Sequence, residues 1–170
     1  MPDARDSGTR SLLDPLIDTF QNLYTKWATP SYGLLITDQV QVDRRFLSVA
    51  CDVCTHEQSL EPDVLDRWKQ WAKIAQQDGT PCIVQIVHPG RMSPAGAGIR
   101  PHNMSALCPS SVPVVLGDMC LVKVAQDKFL GTPKAMTPQE IDKVFRRIPI
   151  VARMTTVARL RSVSSCCSAS

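Results

Sequence analysis

One polar side chain interrupts an apolar stretch near the middle of the chain. Residues 82–87 are Cys-Ile-Val-Gln-Ile-Val, and a Pro-Gly pair follows at 89–90. This pattern predicts a strand buried on both faces, as in parallel sheets. The carboxamide of Gln85 offers two donors and one acceptor oxygen, and burying it without partners costs roughly 1–3 kcal/mol. Its partner is either a backbone group or an ordered water, or else the edge of a planar ligand that presents a donor beside an acceptor.

A second chemical candidate is the pair Cys51 and Cys54, which has CxxC spacing and is followed by His56. A structural zinc site needs four ligands, and the adjacent Cys166 and Cys167 do not supply a second pair with suitable spacing. A thioredoxin-like pair would open a helix, whereas this pair lies in a predicted loop. We therefore predict no metal site, and the odd total of seven cysteines indicates reduced thiols.

The bulk composition is that of a globular protein, with 44% hydrophobic and 21% charged residues. No apolar run approaches the ~20 residues of a membrane-spanning helix, and the polar start is unlike a signal peptide, so the sequence predicts a cytoplasmic protein without a membrane partner. Residues 143–170 carry six basic and no acidic residues, which leaves residues 1–142 with a net charge of −3. Because no aromatic residues alternate with these basic ones in a recognisable module, we expect a solvated extension and no specific nucleic-acid partner.

Several elements must position Gln85. Asp14-Pro15 is typical of a helix start, and an apolar stripe continues to about Ala28. A strand is predicted from Gly33 to about Val42, with residues 34–36 as its buried run. A long loop then leads to a helix that starts at Pro62, whose inward stripe is predicted to be Val64, Leu65, Trp68, Trp71, Ala72 and Ala75. Together with the Gln85 strand, these elements predict a parallel βαβ unit.

Beyond this unit the signals become weaker. Residues 112–116 could form a short strand. Thr137 and Glu140 have capping-box spacing and predict a helix start, whereas Pro149 predicts that this helix breaks before or at that residue. The Arg- and Ser-rich remainder is predicted to be of low complexity and unstructured.

The residues from Gln85 to Arg91 resemble the Q-hydrophobic-x-H-x-G-R signature of the Old Yellow Enzyme (NADH:flavin oxidoreductase) family. Residues 33–37 resemble the second strand of that family, and residues 133–141 resemble the opening of its third helix. The resemblance extends from about Leu12 to Val144. It implies an α/β fold, the N-terminal part of a TIM (β/α)8 barrel, although a complete barrel takes about 250 residues.

The resemblance also implies cofactors and site residues. Gln85 would hydrogen-bond the pyrimidine edge of FMN, and Gln39 occupies a second-strand position that lies against the flavin. NAD(P)H would supply hydride for an electron-poor small-molecule acceptor. The family's fourth-strand His and its Tyr proton donor have no counterpart in residues 145–170, and the segments that hold the FMN phosphate are absent, so we expect no catalytic residue here.

The predicted organisation therefore has three parts. Residues 1–11 form a disordered start, residues 12–144 a partial flavin oxidoreductase barrel, and residues 145–170 a basic low-complexity tail. The function implied is that of an FMN-dependent NAD(P)H oxidoreductase, truncated relative to its family. The alternative is a non-catalytic fragment of such an enzyme with at most an interaction role.

Overall fold

A computed structural model describes residues 18–28, 32–50, 52–55 and 60–166. The helices are α1 (Asp18–Trp27), α2 (Pro62–Ala75), α3 (Cys120–Phe129) and α4 (Pro138–Val157). The strands are β1 (Leu35–Gln41), β2 (Val53–Cys54), β3 (Cys82–His88), β4 (Leu107–Cys108), β5 (Lys134–Ala135) and β6 (Arg161–Cys166), and a short 3-10 helix covers Gly90–Met92. The predicted start of α1 at Asp14 and the predicted disorder of residues 1–11 lie outside the described residues.

The main sheet has the strand order β2-β1-β3-β6, and all its neighbouring strands are parallel. The predicted βαβ unit is confirmed as β1, α2 and β3. A second, two-stranded parallel sheet pairs β4 with β5. The short strand predicted at residues 112–116 is wrong, because that stretch is irregular and exposes Val112 and Val115.

Helices cover one face of the main sheet. Val84 and Ile86 of β3 and Val40 of β1 pack against the helices in a single core cluster. The predicted stripe of α2 is confirmed, since Trp68, Trp71, Ala72 and Ala75 are buried, and Val64 and Leu65 pack at its margin. The helix ends at Ala75, and the turn that follows it includes Gly79, whose φ of +82° is a conformation that glycine adopts at low cost.

An aromatic cluster joins α1 to α2. The Tyr24 ring lies 5.4 Å from the Trp27 ring and 5.4 Å from the Trp71 ring, and the Trp71 ring lies 5.1 Å from the Trp68 ring, all in edge-on geometry. Edge-to-face pairs of this kind add about 0.5–1.5 kcal/mol each beyond the area they bury. The Tyr24–Trp71 pair is the aromatic contact that joins the two helices, and the other two pairs each lie within one helix.

The other face of the sheet is more open than predicted. Leu34 and Ile36 were expected in a buried run, but they are 47% and 56% exposed. In β3, Ile83 and Gln85 are only half-buried, so the strand is not buried on both faces. The reason is that successive side chains of a strand point to opposite faces, and in the described part of the chain the helices cover only one of them.

The predicted break at Pro149 is wrong, because α4 continues through it to Val157. Proline in a helix interior costs about 3 kcal/mol. Val151 and Met154, which follow it, are fully buried in the core. Since burying each such side chain contributes about 1.5–3 kcal/mol, tertiary packing outweighs the local cost.

The predicted lack of structure after residue 144 is also wrong over residues 145–166. Helix α4 crosses that position without interruption, and Ala158 and Leu160 join the core. Strand β6 then pairs with β3 over six residues, from Arg161 opposite Ile83 to Cys166 opposite His88. An Arg- and Ser-rich composition gave no local signal for this strand, because its place is set by pairing with β3.

Candidate functional site

A bulge in β1 decides which residue lies beside Gln85. The register pairs Ile36 with Ile83 but Gln39 with Gln85, so β1 has one extra residue in this interval. Without that residue, Asp38 would lie level with Gln85. Bulges commonly re-aim side chains next to active sites. Here the bulge places Gln39 and Gln85 side by side on neighbouring strands, whose backbones lie about 4.8 Å apart.

Both carboxamides lie on the face that the helices leave open. Gln85 alternates with the core residues Val84 and Ile86, and Gln39 precedes the core residue Val40. Gln85 is half-buried, and its backbone N–H donates to the Thr37 hydroxyl over 3.1 Å. Its side chain makes no hydrogen bond within the described part of the chain. The Gln85 amide therefore keeps its full donor and acceptor capacity for another partner.

Asp38 turns away from this pair. Its side chain is exposed, and its Oδ1 accepts from the backbone N–H of Gln39 over 2.7 Å. Its own N–H donates to the hydroxyl of the buried Tyr24 over 3.0 Å. The Asp38 carboxylate therefore lies at the bulge and is not the neighbour of Gln85 across the two strands.

A polar network behind Gln39 was not predicted from the sequence. The Nε2 atom of the fully buried Gln41 lies 2.8 Å from Asp52 Oδ2, 3.0 Å from Ser48 Oγ and 3.1 Å from Gln39 Oε1. Ser48 Oγ in turn donates to Gln39 Oε1 over 2.6 Å. The Gln-x-Gln spacing of residues 39 and 41 was a usable signal, since alternate residues share one face of a strand.

His88 closes β3 as a buried neutral histidine. Its Nδ1 accepts from the N–H of Gly90 over 3.3 Å, so the proton of the neutral ring is on Nε2, which has no partner in the described residues. Burial lowers the pKa of His88 to about 4. Its ring packs 5.8 Å from that of Phe46. This geometry agrees with an architectural role at the exit of the strand.

An ionic cluster lies at the end of β1. The buried carboxylate of Asp43 accepts the single N–H of Arg45 Nε, which is shared between Oδ1 at 3.1 Å and Oδ2 at 3.2 Å, and a second hydrogen bond from Arg45 Nη2 to Oδ2 at 2.7 Å. Arg147 of α4 forms a second ion pair with Asp43 Oδ2. Burial by itself would raise the pKa of Asp43, but the two arginines outweigh it, and the pKa lies below its ordinary value.

Two loops meet closely beside this cluster. Gly98 has a φ of +76°, and a Cβ on it would lie 2.3 Å from the carbonyl oxygen of Arg44. The next residue, Ile99, donates its N–H to that same oxygen over 3.1 Å. The loop after β1 is therefore held against the loop after β3, and both border the ends of the strands that carry the two carboxamides.

The CxxC candidate is only partly described. Cys51 and His56 lie outside the described residues. Cys54 is a free, buried cysteine, and burial raises its pKa to about 12. Among the described residues, no group of three or more His, Cys, Asp or Glu side chains is placed to hold a metal ion, and no helix there is long and apolar enough to cross a membrane.

Sequence comparison finds three curated proteins that are similar to the chain. It is 33% identical over 134 residues to the NADH-dependent flavin oxidoreductase iliE of Hypocrea jecorina (strain QM6a), covering 79% of this chain and 33% of that protein. It is 32% identical over 137 residues to iliE of Neonectria sp. (strain DH2), with 81% and 18% covered. It is 33% identical over 142 residues to the NADH-dependent flavin oxidoreductase iccE of Talaromyces variabilis, with 83% and 34% covered. The chain thus spans about a third or less of these relatives.

No protein-family model matches the chain. Among solved structures, it superposes on histamine dehydrogenase from Rhizobium sp. 4-9 with a TM-score of 0.57 and 13% sequence identity, covering 82% of this chain and 18% of that one. At this identity the likeness concerns the fold alone, a mixed α/β arrangement of parallel strands. Over about four fifths of its own length, the chain is similar to proteins named NADH-dependent flavin oxidoreductases.

Proposed function

We propose that this chain carries the part of an FMN-dependent NAD(P)H oxidoreductase that receives the pyrimidine edge of the flavin. Its main sheet would be part of a TIM barrel of the Old Yellow Enzyme kind, with the open face of the sheet as the barrel interior. The curated relatives are named as NADH-dependent flavin oxidoreductases, which supports flavin and NADH as the partners. The observation that carries the proposal is the half-buried Gln85 amide, which has no hydrogen-bond partner in the described chain and lies at the middle of β3, on the sheet face that the described helices leave open.

The residues fit the flavin ring in a specific way. Gln85 Oε1 would accept from the ring N3–H while its Nε2 donates to an adjacent ring carbonyl. Gln39, level with it on β1, would approach the other side of the same edge. When bound, FMN supplies the redox chemistry by taking hydride from NAD(P)H and passing it to an electron-poor alkene or a similar acceptor. The chain itself orients the ring and shields one edge of it from water.

The direct test is flavin retention. Purified chain should bind added FMN with a perturbed visible absorbance, and Gln85→Leu should weaken binding about tenfold or more, since two hydrogen bonds to the ring are lost. Gln70→Leu makes the same chemical change at an exposed position of α2 and should leave binding unchanged. Equal affinity in the wild type and in Gln85→Leu would refute the assignment of Gln85.

The exposed apolar side chains Leu34 and Ile36 on the open sheet face favour a second candidate, a non-catalytic role as an interaction surface. The two candidates give different results in one assay. A yellow sample that consumes NAD(P)H supports the oxidoreductase. A colourless sample that associates with itself or with other proteins, and consumes no NAD(P)H when FMN is added, supports the interaction role.

A further inference from the structure

The surroundings of the Gln41 side chain hold its amide in one orientation. It is fully buried, and its Nε2 atom faces three oxygens within 3.1 Å, whereas its Oε1 is buried with no partner. Nε2 carries two hydrogens, so it donates to at most two of these oxygens at once. Turning this amide over would place its oxygen against Asp52 Oδ2, which accepts from two backbone N–H groups, and would lose the hydrogen bond between them. The orientation of the Gln41 amide is therefore fixed by the Asp52 carboxylate.

The carboxylate of Asp52 determines the orientation of the Gln41 amide. Its Oδ2 accepts from the backbone N–H of Ser48 at 2.8 Å, from that of Val49 at 3.0 Å and from Gln41 Nε2 at 2.8 Å. Three donors directed at one oxygen require that the oxygen carries no proton. Because Asp52 lies between β1 and β2, this connection orients the side chain of Gln41 at the carboxyl end of β1.

The orientation of the Gln41 amide also determines the orientation of the Gln39 amide. Gln39 Oε1 lies 3.1 Å from Gln41 Nε2 and 2.6 Å from the Ser48 hydroxyl, so it accepts from both. The NH2 group of Gln39 makes no hydrogen bond within the described residues. Gln39 is half-buried, and the part of its amide left for a ligand is a donor only.

We propose that Asp52, acting through Gln41 and Ser48, is a positioning residue that fixes Gln39 as a hydrogen-bond donor to one carbonyl of a pyrimidinedione ring edge. This inference rests on the proposed function and deepens it. With Gln85 on the neighbouring strand oriented as in the proposed function, the sheet would present a donor, an acceptor and a donor in a row. The two carbonyls and the intervening N–H of the flavin ring present an acceptor, a donor and an acceptor, which is the complementary pattern.

Thiocarbonyl flavins test this pattern, because sulfur is a weak acceptor. Dissociation constants of FMN, 2-thio-FMN and 4-thio-FMN are measured by visible absorbance for the full chain. The wild type should bind each thio analogue about tenfold more weakly than FMN, because one analogue weakens the hydrogen bond from Gln39 and the other weakens the hydrogen bond from Gln85. In Gln39→Met and Asp52→Asn the ratio for one of the two analogues should fall toward one while the ratio for the other stays as in the wild type, and Ser48→Ala should lower the first ratio partially.

Asp66→Asn is the matched control, since it makes the same charge change at an exposed ion pair on α2, and it should keep both wild-type ratios. If Asp52→Asn weakens the binding of all three flavins equally, its role is structural and the proposal is overturned. Unchanged ratios for both analogues in Gln39→Met overturn it as well.

A flavin-free measurement separates this inference from the proposed function. In side-chain amide NMR spectra, Asp52→Asn should shift the NH2 signals of both Gln41 and Gln39, whereas Asp66→Asn should shift neither. Shifted signals in a protein that binds no flavin would refute the flavin function while upholding the orientation of Gln39 by Asp52. Flavin binding with an unshifted Gln39 signal would refute the orientation and leave the flavin function standing.

Discussion

Arg147 of α4 forms an ion pair with the buried carboxylate of Asp43 at the end of β1. The two residues lie on opposite sides of position 144, where the predicted barrel segment was expected to end. The pair therefore couples the later helix to the strand end next to the two site carboxamides. It provides the first of four tests of how the fold supports the site.

Replacing Arg147 with Met should destabilise the protein by about 1–2 kcal/mol. This is less than the loss of a fully buried pair, because Arg147 is one-third exposed and Asp43 keeps Arg45. Arg147 helps to hold the pKa of Asp43 below its ordinary value, so the difference from wild type should be present at neutral pH and narrow as the pH falls below about 4.

Urea unfolding followed by circular dichroism measures this effect. Arg146→Met removes an exposed pair with Asp142 one residue away, and it should cost no more than about 0.5 kcal/mol. Equal losses of unfolding free energy in the two variants would mean that the ion pair of Arg147 with Asp43 contributes no more than the exposed pair of Arg146 with Asp142.

Stability should decrease between about pH 6.5 and pH 4 because of His88. Its pKa is about 4 in the folded chain and 6.5 as its ordinary value, so in this window the unfolded chain binds a proton that the folded chain does not. Stability must then fall as the pH falls, by at most about 3 kcal/mol across the window. His88→Asn should flatten this part of the curve of unfolding free energy against pH, and an unchanged slope would contradict the assignment.

Two glycines with similar backbone conformations should respond differently to alanine. Gly79→Ala places a side chain in open space and should cost about 1–2 kcal/mol from the positive φ alone. Gly98→Ala adds a contact of 2.3 Å with the Arg44 carbonyl oxygen and should cost about 3 kcal/mol or more. The difference in unfolding free energy isolates the close approach of the two loops, and equal costs would show that the loops separate readily.

Pro149→Ala should stabilise the protein by about 1–3 kcal/mol. The new N–H can donate to the carbonyl of Phe145 and complete the hydrogen bonds of α4, although alanine also gives the unfolded chain more freedom. Pro138→Ala, at the first turn of the same helix, should give no gain, because proline is favourable there. The urea midpoint measures both variants, and destabilisation by Pro149→Ala would show that the proline shapes the packing of Val151.

The sequence allowed prediction of those features that depend on local periodicity or capping. The stripe of α2, the strand around Gln85 and the capping box of Thr137 and Glu140 are all confirmed, the last by both of its hydrogen bonds at 2.8 and 3.2 Å. Features that depend on distant partners were missed. The continuation of α4 past Pro149 depends on the burial of Val151 and Met154, and β6 depends on its pairing with β3.

The candidate site likewise contains features that the sequence indicated and features that depend on the folded structure. The place of Gln85 within an apolar strand was visible in the sequence, and its role toward a flavin stays a prediction. The bulge that brings Gln39 level with it was not visible, because Ile-Thr-Asp-Gln carries no bulge signal such as glycine. Asp52 was missed because it reaches Gln41 only after the loop folds back.

The edge-on aromatic cluster between α1 and α2 has a practical consequence for spectroscopy. All three tryptophans of the chain, Trp27, Trp68 and Trp71, belong to it, with Tyr24 as the link. Intrinsic fluorescence emission therefore reports on the docking of α1 against α2. A red shift of that emission marks separation of the two helices, and rearrangements confined to the glutamines at the far face of the sheet need a probe of their own.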